Sequence, residues 1–124
     1  GQAVVEGVAF GFADGLDALV EAGAAVGPIT VIGGGARSAW WGRVLAAALQ
    51  RPLVYREAGD VGPAYGAARL ARLGLTGEAV EDVCTPPPVR VVVEPRAADV
   101  ERLAGKRQRF GQLYQDLRDR FRGA

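Results

Sequence analysis

The stretch ITVIGGGARSAWWGRVLAAALQRPLVY, Ile29 to Tyr55, decides the fold class. Ile29-Thr30-Val31-Ile32 is rich in β-branched residues and reads as a buried parallel strand. Gly33, Gly34 and Gly35 follow. Trp41, Val44, Leu45, Ala48 and Leu49 then recur at helical spacing until Arg51-Pro52, and Leu53-Val54-Tyr55 reads as a second strand. Strand, glycine turn, helix and strand in that order make a unit of an α/β fold. A turn of this kind can bring backbone against an anionic ligand or pack a strand closely on its helix. Spacing alone leaves both open.

Before this unit, Val5, Val8, Phe12, Leu16 and Leu19 recur at steps of three and four, which predicts a long amphipathic helix from Gln2 to about Ala25. Gly7, Gly11 and Gly15 form a second stripe on it, expected to admit a closely packed neighbour or a ligand. After the unit, Asp60 is expected to cap a further helix that holds Pro63 in its first turn and ends at Gly74. Gly66, Ala67, Ala68 and Ala71 suit a helix lying near its neighbour. Residues 76–95 read as an irregular connection, with a helical turn around Glu78–Val83 and then an extended arm, Val89–Glu94, on the surface or at a sheet edge. Val100, Leu103, Phe110, Leu113, Tyr114, Leu117 and Phe121 mark a C-terminal helix within residues 96–124.

Composition removes several chemistries. The 124 residues include no histidine, one cysteine (Cys84) and one serine (Ser38), so the chain has no Ser-His-Asp or Cys-His pair and no zinc cluster of Cys and His. Cys84 can form no internal disulfide, which fits a reducing compartment, with cytoplasm as the expected location. No apolar run reaches the length of a membrane span, and no signal-peptide layout opens the chain. Residues 96–124 carry eight Arg/Lys against four Asp/Glu, while residues 1–95 carry seven against ten. This basic tail reads as a solvated outer face rather than a nucleic-acid surface. With no methionine, the chain is expected to be a piece of a longer one. Two parallel strands alone leave an edge unpaired, so further strands are expected ahead of Gly1, or pairing with a second copy as a homodimer.

The glycine loop does not fit a P-loop, because Gly35 is followed by Ala36-Arg37-Ser38 rather than Gly-Lys-Ser/Thr. It fits the dinucleotide fingerprint only in part: Gly33 and Gly35 match, Ser38 does not, and Glu57 lies at a spacing suited to a ribose. A third pattern is more specific. Ile32-Gly33-Gly34-Gly35-Ala36-Arg37-Ser38, the tryptophan-bearing helix, and Gly59-Asp60-Val61-Gly62-Pro63-Ala64-Tyr65-Gly66-Ala67-Ala68 together resemble the C-terminal part of the FGGY carbohydrate kinases. The Val5–Phe10 segment is similar to that family's helix as well.

The resemblance covers residues 2–75 and, more loosely, the arm and tail helix. It implies the C-terminal part of an actin-like ATPase domain (ribonuclease H-like), an α/β fold with helices on a short parallel sheet. Residues 1–75 would belong to the second lobe. It implies ATP, with Mg²⁺ held by segments outside this chain, and a ketose such as D-xylulose as the second substrate; glycerol, gluconate and ribulose are the alternatives. A non-catalytic nucleotide-binding or assembly module is the alternative from another class. By the same resemblance Gly33, Gly34, Gly35 and Ala36 would line the adenosine, and Gly62, Gly66 and Ala67 would lie at the interlobe hinge. Ala39 stands where some relatives have an adenine-binding asparagine. The general base, the phosphate loops and the sugar site would lie before Gly1, so the chain contains no catalytic residue and is expected to be inactive alone.

Overall fold

The computed structural model describes residues 1–121, and the last three residues expected in the tail helix lie outside that range. Helix α2 (Ala39–Leu49) is the element around which the others are laid. The Ser38 hydroxyl starts it by accepting the Trp41 N–H at 3.1 Å, satisfying one of the orphan donors of a helix start. Gln50 ends it in the left-handed region, φ 52°. Val44, Leu45, Ala46, Ala47 and Ala48 are all buried, so most of the helix circumference faces protein.

Strands β1 (Ile29–Thr30), β2 (Leu53–Arg56) and β3 (Val89–Val93) form one sheet in the order β1-β2-β3. The β1–β2 pair is parallel as expected. It is shorter than the sequence implies, although the Val31 N–H still donates to the Val54 carbonyl at 3.0 Å. The expected arm is a true edge strand, antiparallel to β2 from Leu53↔Val93 to Arg56↔Val89, with a register shift between Tyr55 and Arg56. The sheet is therefore mixed. Pro86, Pro87 and Pro88 come just before β3 and Pro95 just after, where no ladder N–H is needed. Two bonds fasten the start of this strand: Arg56 donates to the Pro87 carbonyl at 2.7 Å, and the Glu57 N–H to the Pro88 carbonyl at 3.0 Å.

Helix α1 (Gln2–Glu21) corrects the expected apolar face. Ala9, Phe10 and Ala13 are buried, with Glu6, whereas Val8, Phe12 and Leu19 are exposed. The cause is steric: α1 lies against α2, where Ala46, Ala47 and Ala48 are all buried on different sides of the helix, and small residues on both helices let them approach. Of the two readings of the glycine stripe, the closely packed neighbour is met at Gly7 at most. A Cβ on Gly7 would be 3.8 Å from Phe110, an ordinary contact, while Gly11 and Gly15 face open space. No close neighbour accounts for those two.

Helix α5 (Ala97–Phe121) packs across α2 and α1 through Leu103, Val100 and Phe110. Phe10 and Phe110 stack obliquely with ring centroids 5.6 Å apart, a favourable aromatic geometry. Leu113, Tyr114 and Phe121, expected on its packed face, are exposed. Nor is its basic character simply solvated: Arg107 pairs with Asp14 (3.2 Å) and Asp17 (2.5 Å). Glu6, 5% exposed, accepts from Lys106 at 2.7 Å, Arg102 at 3.1 Å and Gln2 at 2.7 Å. Burial pushes the Glu6 carboxyl upward, but hydrogen bonds from Lys106, Gln2 and Arg102 and the Lys106 charge outweigh it, leaving it below the ordinary range. Cations of the tail thus meet anions of the first helix.

Helix α3 (Gly62–Thr76) has no buried residue. Its N-cap is Val61, not Asp60, and its first turn contains Pro63 as expected. It runs past Gly74 to Gly77, whose φ of 66° supplies the left-handed stop. Arg72 and Thr76 both bond Glu78 there and hold its carboxyl at about 2. A short helix α4 (Val80–Val83) buries Val83 before the free, exposed Cys84.

Two outcomes follow from this packing. Because the Glu6 carboxyl titrates lower in the folded than in the unfolded chain, its contribution is present above the ordinary glutamate value and disappears as pH falls through the lowered one. Glu6→Gln is expected to cost about 2 kcal/mol at pH 7 in urea unfolding, and to cost less as the pH drops below 4.5. The second concerns Gly42, where a Cβ would lie 2.5 Å from the Tyr55 hydroxyl oxygen. That hydroxyl is buried and finds no hydrogen-bond partner among the described residues. Gly42→Ala is therefore expected to destabilise by about 1–3 kcal/mol through overpacking. Part of that loss should be recovered in the Gly42→Ala/Tyr55→Phe double variant, as measured in a double-mutant cycle.

Candidate functional site

The two motif segments singled out in the sequence meet in space. Gly33 has φ 84° and ψ −172°, a backbone region almost restricted to glycine. From that conformation its N–H donates to the Gly59 carbonyl at 2.8 Å, tying the loop after β1 to the loop after β2. Gly34–Arg37 then form a single 3₁₀ turn. Within it the Ala36 N–H returns to the Gly33 carbonyl at 3.0 Å, and the Ser38 N–H to the Gly35 carbonyl at 3.2 Å. The Ala36 methyl is buried in the core beside α2, so this residue anchors the loop.

The three glycines are not equivalent. Gly33 is required by its dihedral angles. A Cβ on Gly35 would be 3.3 Å from the Trp41 indole, tighter than an ordinary contact. At Gly34 a Cβ would meet nothing within 4 Å, so neither packing nor a positive φ within the fold explains the glycine. Ala39 is exposed at the first position of α2.

Facing this loop is a second 3₁₀ turn, Gly59–Val61, leading into α3. Asp60, expected as a helix cap, instead accepts from Arg37 Nε at 3.1 Å. Sequence reasoning missed this pair because nothing in the one-dimensional pattern joins two charges 23 residues apart. Gly62 sits against Ile32, where a Cβ would be 3.3 Å from Ile32 Cβ. Gly66 and Ala67 lie farther along α3 on exposed surface, and a Cβ on Gly66 would meet nothing within 4 Å. Of the two expected hinge glycines, Gly62 has a close neighbour and Gly66 has none.

Beside the loop, Phe12, Leu16, Leu19, Ile32, Trp41 and Leu45 line an apolar groove of about 490 Å³. Three of the five α1 side chains that sequence periodicity assigned to the core, Phe12, Leu16 and Leu19, line this groove, while Val5 packs against the core. No group of three or more Cys, Asp or Glu side chains is gathered for a metal ion among the described residues. The residues here thus offer backbone, apolar surface and one ion pair. No helix among the described residues is long and apolar enough to cross a membrane.

A glycine loop at the end of a parallel strand, tied to a small-residue helix within one layered arrangement, defines a mixed α/β domain. Residues 1–75 match the FGGY family of carbohydrate kinases, C-terminal domain. The chain belongs to that family. It is 40% identical over 119 residues to the xylulose kinase of Escherichia coli K12, covering 94% of this chain and 24% of that protein. To the xylulose kinase of Klebsiella pneumoniae it is 37% identical over 118 residues, with the same coverage. The structure superposes on a xyloylose kinase from Brucella ovis with TM-score 0.78 and 42% identity, covering 95% of this chain and 25% of that one. Xylulose kinase from Rhodospirillum rubrum gives TM-score 0.70 and 29% identity, covering 97% and 25%. The chain therefore spans about a quarter of the length of the relatives it matches. Its fold is the C-terminal part of an actin-like ATPase domain, and the family assignment displaces the partial dinucleotide fingerprint with Glu57.

The loop geometry makes neighbouring glycines unequal in folding. Gly33→Ala is expected to lower stability by about 1–3 kcal/mol through backbone strain, and Gly34→Ala by no more than about 0.5 kcal/mol. Urea unfolding of the two variants checks the difference.

Proposed function

We propose that this chain forms the adenosine-facing wall of an ATP-dependent sugar kinase whose complete form phosphorylates D-xylulose to D-xylulose 5-phosphate. The observation that carries the reading is Gly34. It lies inside the family-matched segment, it is exposed, and it lacks a side chain although the fold leaves room for one. A ligand approaching Gly34, Gly35 and Ala36 supplies the missing reason. The exposed first turn of α2, at Ala39, lies next along the chain, and its methyl gives the purine no polar partner. D-xylulose is favoured as the sugar because the relatives in two bacteria and both solved structures are xylulose kinases by name.

In the complete enzyme a carboxylate outside this chain would take the proton from the sugar hydroxyl, and the phosphate and Mg²⁺ ligands would also come from outside it. Catalysis in such a kinase is mainly positioning and electrostatic stabilisation of the transferring phosphoryl group. This chain would contribute position: Gly33 fixes the loop, Gly62 brings α3 against it, and Gly66 and Ala67 leave the exposed face of α3 smooth enough for lobes to shift past it. The same reading gives the apolar groove an occupant, the remainder of a polypeptide about four times as long.

The test separates ligand clearance from folding. In the complete protein, Gly34→Val is expected to leave the unfolding transition nearly unchanged and to weaken ADP binding about tenfold or more. Unchanged ADP affinity would remove the loop from the nucleotide site. The chain from Gly1 to Ala124 alone is expected to release no ADP from ATP in the presence of D-xylulose, and a substrate panel on the complete protein ranks D-xylulose against glycerol, gluconate and ribulose.

A further inference from the structure

We infer that Arg37 and Asp60 form a clip that sets the position of the nucleotide loop relative to α3, so that nucleotide affinity depends on their pairing. The inference rests on the proposed adenosine role of the Gly33–Ala36 loop. Three separate contacts converge on the same junction. The Gly33 N–H reaches the Gly59 carbonyl at 2.8 Å, Gly62 packs on Ile32, and Arg37 Nε meets Asp60 Oδ2 at 3.1 Å. The first two are made by backbone or by the absence of a side chain, and they act at the strand side of the loop. Only the ion pair acts at its far end, where the 3₁₀ turn gives way to α2.

The position of the pair argues against a mainly stabilising role. Its side chains are 69% and 40% exposed, and exposed ion pairs contribute little to folding. Yet each partner sits on a short 3₁₀ turn rather than in a regular element, where a single contact has the most influence on backbone placement. Arg37 lies between Ala36, buried in the core, and Ser38, the cap of α2. Asp60 lies two residues before the first residue of α3. A displacement of α3 is thereby communicated to the turn that carries Gly34 and Gly35, and nucleotide bound at that turn biases α3 in return. Arg37 and Asp60 are positioning residues in this scheme. Neither needs to touch nucleotide or sugar.

The experiment is a double-mutant cycle in the complete protein, reading Kd for ADP by calorimetry, KM for ATP and for the sugar, kcat and the unfolding midpoint. Arg37→Ala and Asp60→Ala are each expected to raise Kd for ADP and KM for ATP about two- to fivefold, the effect an exposed ion pair can supply. The unfolding midpoint, kcat and the KM for sugar should stay close to wild type. The double variant should be no worse than either single one, and the exchanged pair Arg37→Asp/Asp60→Arg should recover most of the affinity. High salt should narrow the gap between wild type and variants. Additive effects, an effect of Arg37→Ala without one of Asp60→Ala, or unaltered nucleotide affinity in both would overturn the clip while leaving the adenosine role intact. A wild-type protein that binds neither ADP nor ATP would overturn both.

Discussion

Ala46, Ala47 and Ala48 of α2 set how closely everything else can pack. Three consecutive small residues, each nearly without solvent contact, let α1 and α5 both settle against the same helix. The sheet meets that helix through Leu53, which is fully buried, and Tyr55. Burying a leucine-sized side chain supplies about 1.5–3 kcal/mol, but here geometry matters as much as area. With larger residues on α2, Ala9 and Ala13 of α1 could not lie where they do, and Glu6 would not reach Lys106 and Arg102. The buried carboxylate and its two cations fix the register of α5 against α1 only after the alanines have brought the helices together.

The same constraint prepares the functional end of the domain. Ser38 caps α2 on the side where the glycine loop arrives, and Ala36 is drawn into the core that α2 organises. The loop is thereby held at its base while Gly34 and Gly35 remain exposed. In the proposed adenosine role, a rigid base with an open backbone surface would suit a flat purine, because a Cβ in the way would obstruct contact over the ring face. The apolar groove alongside shows that α1 has two faces with separate tasks. Ala9, Phe10 and Ala13 build this domain, whereas Phe12, Leu16 and Leu19 line a surface that the described residues do not fill.

The order of elements could be read from the sequence because strong local signals marked it: the β-branched run before Gly33, helical spacing from Trp41 to Leu49, and Pro52 before β2. The glycine loop was equally legible, since its composition is unusual and its motif specific. What stayed hidden depended on tertiary neighbours. Periodicity pointed to Val8, Phe12 and Leu19 as core because large apolar side chains dominate the pattern around a helix, while the actual interface was chosen by close approach, which favours Ala9 and Ala13. Glu6 gave no sign of burial because its cationic partners, Arg102 and Lys106, lie 96 and 100 residues away. Asp60 satisfied a capping rule in one dimension, but Arg37 competed successfully for its carboxylate in three. Gly74 reads as the stop of α3 by sequence, whereas the helix continues to Gly77, where a φ of 66° supplies the left-handed end.

The most direct measurement is a crystal structure of the complete protein with ADP bound. The account predicts adenine and ribose in van der Waals contact, within about 4 Å, of the backbone from Gly34 to Ala36, with the loop held as described. Adenosine bound elsewhere, with Gly34 and Gly35 still open to solvent, would contradict it.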